Sequence, residues 1–189
     1  MKVVAVLGSP RAKANSTALA RTILDRLREL GAQTQEFALN KLEFKGCQAC
    51  EVCKTKQDRC VLKDDLTQVL DAVRESDAVI LASPNYFGEV SSQFKAFFDR
   101  TYSFLNPDFS SRLGGGKSSV FVFSQGNSDL KAYADVYPRY EMWLKRYGFA
   151  ENLLLRMNGP RVPDSVPKRP DLVAQAGEIA DKLMSEAGK

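Results

Sequence analysis

Short apolar runs alternate with helical repeats along most of the chain. The apolar runs predict strands at residues 3–7, 34–39, 78–82, 119–123 and 152–156. Several of them are apolar at nearly every position, which is typical of strands buried on both faces of a parallel sheet. Apolar residues that recur every three or four positions predict amphipathic helices at residues 19–30, 66–73, 94–98, 136–147 and 172–183.

The alternation of strands and helices predicts an α/β fold with right-handed crossovers and a parallel sheet covered on both faces. We find no internal repeat and no linker, so residues 1–189 are expected to form a single domain. Three long segments lack regular periodicity: 40–63, 106–117 and 158–170. Long loops in compact domains are often functional, and the first two are therefore candidate walls of a site.

Composition and charge exclude several classes of protein. The apolar and charged fractions, 44% and 26%, are those of an ordinary globular protein. The apolar run at residues 3–7 is too short for a signal peptide or a membrane span, so we expect a cytoplasmic protein without a membrane partner. The net charge of +4 is spread along the chain, which gives no indication of nucleic-acid binding.

The loop after the first predicted strand reads GSPRAKANST, residues 8–17. It lacks the G-x-G-x-x-G spacing of a dinucleotide-binding loop, which argues against a Rossmann NAD site. The loop offers hydroxyl, amide and guanidinium donors beside the start of a helix, a set that suits a terminal phosphate monoester. The donors are Ser9, Arg11, Asn15, Ser16 and Thr17. The alternative is that Asn15, Ser16 and Thr17 only cap the helix.

Two further loops follow predicted strands. Residues 84–88, PNYFG, place a tight turn and two aromatic side chains at a strand end, where a flat ring could lie against backbone amides. Aromatic residues at such a position are also common in cores. Residues 124–126, SQG, form another polar turn. Because parallel strands end at one edge of the sheet, three such loops together predict a binding site there.

All four cysteines of the chain lie within residues 47–60, in the pattern C-x2-C-x2-C-x6-C. The close spacing resembles the ferredoxin run, in which consecutive thiolates reach one cluster. Zinc, a redox disulfide and free thiols are the other interpretations. The chain has no histidine, which excludes mixed Cys/His sites and any histidine acid or base.

The motifs GSPR, Asn15-Ser16-Thr17, SPNYFG and FFDR resemble those of the NADPH-dependent FMN reductase and flavodoxin-like superfamily over roughly residues 1–150. The cysteine loop, followed by VLKDDL, is similar to that of the iron-sulfur flavoproteins. The resemblance implies a flavodoxin-like doubly wound five-stranded parallel sheet of order 2-1-3-4-5, with a cysteine-rich loop at 40–63 in one FMN-binding domain. It also implies a homodimer or homotetramer.

The same resemblance assigns residues to cofactors. FMN phosphate would be held by Ser9, Arg11, Asn15, Ser16 and Thr17. The isoalloxazine would lie against Pro84, Asn85, Tyr86, Phe87 and Gly88, with Ser124, Gln125 and Gly126 on its other side. A 4Fe-4S cluster would be ligated by Cys47, Cys50, Cys53 and Cys60.

Hydride transfer to a flavin requires alignment more than a protein acid or base, so no catalytic side chain is expected. We therefore expect an FMN-dependent oxidoreductase that passes electrons from NAD(P)H or a ferredoxin-like donor to a small-molecule acceptor. The alternatives are a cluster-free NAD(P)H:FMN or quinone reductase, a flavodoxin-like electron carrier, and a zinc-stabilised binding protein without flavin.

Overall fold

The computed structural model of the protein describes residues 1–159 and 162–186. The strands are β1 (Lys2–Leu7), β2 (Gln33–Ala38), β3 (Ala78–Tyr86), β4 (Glu89–Val90), β5 (Lys117–Ser124) and β6 (Phe149–Met157). The helices are α1 (Asn15–Glu29), α2 (Val52–Thr55), α3 (Leu66–Glu75), α4 (Ser92–Arg100), α5 (Val136–Arg146) and α6 (Pro170–Glu186). Short 3-10 turns lie at Leu39–Lys41, Thr101–Phe104 and Val166–Lys168.

Five strands form a parallel sheet in the order β2-β1-β3-β5-β6. When β4 is left out and the five parallel strands are numbered along the chain, this order is the predicted 2-1-3-4-5. The flavodoxin-like architecture is therefore confirmed. The predicted strand count is wrong by one, because β4 pairs antiparallel with the end of β3. β3 continues through residues 83–86, which we had expected in a loop, and this extension carries the short hairpin.

The sheet separates two hydrophobic clusters. Alternate residues of β1 point to opposite clusters, Val4 and Val6 to one and Val3, Ala5 and Leu7 to the other. Helices α3, α4 and α5 cover the first face, while α1 and α6 cover the second. Both faces of the strand are therefore buried, which explains why the predicted strands are continuous apolar runs.

The aromatic residues of α4 belong to the core of the first face. Phe94, Phe97 and Phe98 are all buried, and the Phe94 ring packs edge-on against Phe121 with ring centroids 5.7 Å apart. The three side chains therefore form part of the core. α4 thereby holds its last residue, Arg100, in a buried position beneath the cysteine segment.

The predicted irregular segments contain little regular structure. Residues 40–63 include the four-residue helix α2, and residues 158–170 include a 3-10 turn, although residues 160 and 161 lie outside the described part. Within residues 1–159 and 162–186, no helix combines the length and apolar character that a membrane crossing requires.

Candidate functional site

A pocket of about 750 Å³ opens at the carboxyl edge of the sheet. This volume lies in the range of small-molecule and cofactor sites. The loops after β1, β3 and β5 all contribute to its walls, as the chain order predicts. The predicted residues that line it are Ser9, Arg11, Asn15, Pro84, Asn85, Tyr86, Phe87, Ser124, Gln125 and Gly126. The predicted residues Ser16, Thr17 and Gly88 lie outside the lining.

One end of the pocket meets the N-terminus of α1. The N-cap residue is Ala14, no side chain caps the helix, and no acidic residue lies in its first turn. The alternative that residues 15–17 serve as side-chain caps is therefore wrong. Ser16 is completely buried, and its Oγ has no hydrogen-bond partner among the described residues. An uncapped helix N-terminus with an unsatisfied hydroxyl is suited to bind an anion.

The side chain of Asn15 ties a distant segment to this end of the pocket. Its Nδ2 donates to the Val162 carbonyl at 3.0 Å, and its Oδ1 accepts from the Ser165 backbone N–H at 2.9 Å. Pro163, between these two residues, lines the pocket. The amide of Asn15 thus shapes the wall, which leaves its backbone N–H for a ligand.

A tight hairpin turn forms the edge between β3 and β4. Phe87 and Gly88 both have left-handed backbones, with φ of 52° and 82°, as in a type I′ turn. Asn85 Oδ1 accepts from the Gly88 N–H at 2.9 Å and stabilises the turn. The predicted tight turn is confirmed, and neither Tyr86 nor Phe87 is a core residue, since Phe87 is fully exposed and Tyr86 lines the pocket.

The opposite wall is organised by Gln125 and Arg156. Gln125 Nε2 donates to the carbonyls of Asn127 and Asp129 at 3.0 and 2.9 Å, while its Oε1 accepts from Arg156 Nε at 3.0 Å. Arg156 also donates to the Leu130 carbonyl at 2.7 Å. Burial lowers the pKa of Arg156 from its usual value. The Gln125 side chain is therefore occupied in fixing the loop.

Sequence reasoning missed part of the lining. The additional residues are Lys13, Ala14, Asn127, Ser128, Tyr133, Met157 and Pro163. Tyr133 places its ring over the turn, about 3.6 Å from where a Cβ on Gly88 would lie. Lys13, Ala14, Asn127 and Ser128 adjoin predicted residues and could have been included, whereas Tyr133, Met157 and Pro163 carry no signal in the sequence.

The four cysteines line a second, smaller pocket together with Arg100, Tyr102 and Ser103. All four are unpaired thiols. Burial raises the pKa of the Cys53 thiol, an effect that Lys54 opposes and that the nearby Cys60 and Cys47 reinforce. In the described part of the chain, no three His, Cys, Asp or Glu side chains are arranged to hold a single metal ion.

Buried Arg100 anchors both ends of the cysteine segment. Its Nη1 donates to the Lys45 carbonyl at 2.9 Å and to Asp64 Oδ2 at 2.8 Å, and its Nη2 donates to the Leu62 carbonyl at 3.1 Å. Burial opposes ionisation of Asp64, but hydrogen bonds from Arg100 and from the Lys45 N–H hold the pKa of Asp64 below its usual value. The segment is thus clamped before the first cysteine and after the last.

Two further cations anchor the middle of the cysteine segment. Arg112 Nη1 donates to the Cys53 carbonyl at 2.7 Å. Lys54 Nζ donates to the Tyr102 carbonyl at 2.6 Å and lies 3.8 Å from the centre of the Tyr102 ring. Burial lowers the pKa of Lys54. These contacts hold the cysteine loop against the turn that follows α4.

The larger pocket suits binding and alignment rather than proton transfer. Its described lining contains the cations Arg11 and Lys13 but no carboxylate and no thiol. The start of α1, the hairpin turn and the loop after β5 form three sides of this pocket.

Several known proteins resemble this chain in sequence. The family model for NADPH-dependent FMN reductase matches residues 1–134. An iron-sulfur flavoprotein of Methanosarcina thermophila is 33% identical over 148 residues, which are 78% of this chain and 75% of the relative. One of Methanocaldococcus jannaschii is 40% identical over 101 residues, 53% of this chain. The chain spans about half the length of that relative and of one from Archaeoglobus fulgidus, 52% and 55%.

Solved structures share the fold. An FMN-dependent NADH-azoreductase from Bacillus anthracis in complex with FMN superimposes with a TM-score of 0.76 at 13% identity, covering 97% of this chain and 99% of that one. An NAD(P)H:quinone oxidoreductase from Methanothermobacter marburgensis also has a TM-score of 0.76, at 19% identity and with coverages of 97% and 96%. At these identities the likeness shows the fold alone.

Proposed function

The chain belongs to the NADPH-dependent FMN reductase family, and on this premise we propose that it is an FMN-dependent oxidoreductase. It takes electrons from NAD(P)H or a ferredoxin-like donor and passes them to a small-molecule acceptor. Bound FMN supplies the redox chemistry, since it exchanges electrons in pairs or singly. The residues of the chain bind and orient the cofactor.

The observation that carries this proposal is the uncapped start of α1, where Ala14 and Asn15 line the pocket and the next residue, Ser16, has a buried hydroxyl with no partner among the described residues. A phosphate at that position would accept hydrogen bonds from Ser16 and from the first backbone N–H groups of the helix. Arg11 lies in the lining of the same pocket and supplies a positive charge. Ser9 Oγ accepts a hydrogen bond from the Arg11 N–H at 3.3 Å, and this contact holds the loop after β1 in its conformation.

The hairpin turn is proposed as the seat of the flavin ring. Tyr86 offers a flat surface in the pocket, while the Gly88 N–H is already bonded to Asn85. Gly88 therefore supports the turn rather than donating to the ring. The Tyr133 ring lies beside Gly88 of the same turn.

For the cysteine segment we propose a 4Fe-4S cluster on Cys47, Cys50, Cys53 and Cys60. Four thiols that line one pocket provide the ligands such a cluster uses. The ferredoxin-like spacing of the four cysteines favours a cluster over a single zinc ion.

A second candidate is a cluster-free NAD(P)H:FMN or quinone reductase with the same FMN site. The observation that favours it is the absence, in the part of the chain that the structure describes, of a preformed site for a metal ion. In that case the four unpaired cysteines would be structural thiols.

Titration of the flavin-free protein with FMN tests the phosphate placement. Arg11→Ala should weaken FMN binding roughly tenfold, because one charge-assisted contact is lost. Arg21→Ala is the matched control, since Arg21 lies on α1 and is engaged with Glu36 at 2.7 Å instead of lining the pocket. Equal affinities of the two variants would refute the placement.

Steady-state oxidation of NADH and NADPH by the FMN-loaded protein tests the activity. A reductase should turn over with at least one of them in the presence of a quinone or another acceptor. Negligible turnover with both, while a reduced ferredoxin still reduces the protein, would make it an electron carrier.

A further inference from the structure

Arg100, one of the residues that line the cysteine pocket, carries a charged donor that lacks an acceptor among the described residues. It is among the largest fully buried side chains of the protein. Its two terminal nitrogens are bonded to the Lys45 and Leu62 carbonyls and to Asp64. Its Nε, by contrast, has no partner among the described residues.

A buried guanidinium N–H without an acceptor is costly, and folded proteins rarely leave one unsatisfied. The terminal nitrogens fix the orientation of the group, so Nε cannot turn towards water without breaking several bonds. Sulfur atoms held in the adjoining pocket are the acceptors that can complete its set.

We infer that Arg100 Nε–H donates a hydrogen bond to a sulfur atom of the group held by Cys47, Cys50, Cys53 and Cys60, and thereby raises its reduction potential. This inference rests on the proposed cluster. Reduction adds one electron, from reduced flavin or a ferredoxin-like donor, and makes the sulfurs more negative. A fixed N–H donor with a buried positive charge stabilises that state more than the oxidised one. Arg100 keeps its proton throughout and is a positioning residue.

Arg100→Lys tests the inference because it keeps a cation but removes the Nε–H group. The matched control is Arg112→Lys, which alters another arginine bonded to the segment, at the Cys53 carbonyl, but outside the pocket lining. The midpoint potential of the cluster is measured by anaerobic redox titration of reconstituted protein. We expect Arg100→Lys to shift the one-electron equilibrium about tenfold towards the oxidised state, about 59 mV, and Arg112→Lys to shift it less than about twofold. Equal shifts would overturn the inference.

A second measurement covers the case in which Arg100→Lys does not fold. In wild-type protein with ¹⁵N-labelled arginine, the slowest-exchanging Nε–H resonance should move out of the ordinary range when the cluster is loaded and reduced to its paramagnetic state. A resonance that stays in place would overturn the inference.

Assays of iron and sulfide separate the possible failures. Wild-type protein that binds neither after reconstitution refutes the cluster itself, and with it the role of Arg100. Protein that holds the cluster but whose potential does not respond to Arg100→Lys refutes only the hydrogen bond.

Discussion

Replacing Ser16 by alanine should have opposite effects on stability and on FMN affinity. The Ser16 hydroxyl is buried and has no partner in the described part of the chain, so the flavin-free protein bears the cost of desolvating it. In the proposed placement, the phosphate of bound FMN would supply the missing acceptor. Ser16→Ala removes both the desolvation cost of the hydroxyl and its hydrogen bond to the phosphate.

The magnitudes follow from these two states. An unsatisfied buried hydroxyl destabilises the folded protein by about 1–3 kcal/mol. Because alanine removes the hydroxyl, Ser16→Ala should raise the unfolding free energy of the flavin-free protein by about 1 kcal/mol. A hydrogen bond to a charged acceptor contributes about 1.5–3 kcal/mol, so its loss should raise the Kd for FMN about 10- to 150-fold.

Urea unfolding of flavin-free protein and fluorescence titration with FMN measure the two effects. Ser76→Ala is the control, because Ser76 is equally buried but donates to the Val73 carbonyl at 3.0 Å, far from the pocket. It should lower the unfolding free energy by about 1 kcal/mol and leave the Kd unchanged. If Ser16→Ala behaves like Ser76→Ala in both assays, the reasoning about the phosphate is refuted.

Three further changes test other parts of the structure. Asp64→Asn leaves the buried Arg100 without its carboxylate and should lower the unfolding free energy at pH 7 by about 3 kcal/mol. Folding lowers the pKa of Asp64, so the wild-type protein should exceed Asp64→Asn in unfolding free energy by the full amount above the ordinary Asp pKa. This difference should shrink as the pH falls through the pKa of Asp64 in the folded state. A difference in urea unfolding that stays constant down to pH 3 would contradict this. Arg156→Gln should weaken FMN binding several-fold and expose residues 125–132 to proteases, because the Arg156 side chain no longer holds that loop. A protease digestion pattern identical to that of the wild type would contradict this prediction. Phe87→Asn should raise the unfolding free energy by about 1 kcal/mol, since asparagine tolerates the left-handed backbone and the Phe87 side chain contributes no burial; a loss of stability in urea would disprove this.

Much of the fold could be predicted because its central strands, β1, β3 and β5, are buried on both faces. The continuous run at residues 3–7 becomes all of β1 except its first residue, and the alternation of strands and helices predicts the parallel sheet. The strand order was implied by the family resemblance. β4 could not be predicted, since two residues carry no periodicity and its pairing depends on a turn with two left-handed residues.

The candidate site could be located from the polar loops after three strands, because parallel strands end at one edge. The contacts that shape it could not. Asn15 is bonded to residues about 150 positions away, and Gln125 is oriented by Arg156 on another strand. The role of Arg100 beneath the cysteines likewise depends on contacts between distant segments. That residues 1–189 form one domain stays a prediction.

The measurement that tests the central proposal most directly is an anaerobic absorbance spectrum of freshly purified protein, with iron, sulfide and zinc assayed on the same sample. We predict flavin bands with a broad shoulder at about 400 nm, and about four irons and four sulfides per chain. Flavin bands without iron would identify the cluster-free reductase. A protein that neither contains nor binds flavin would contradict the account.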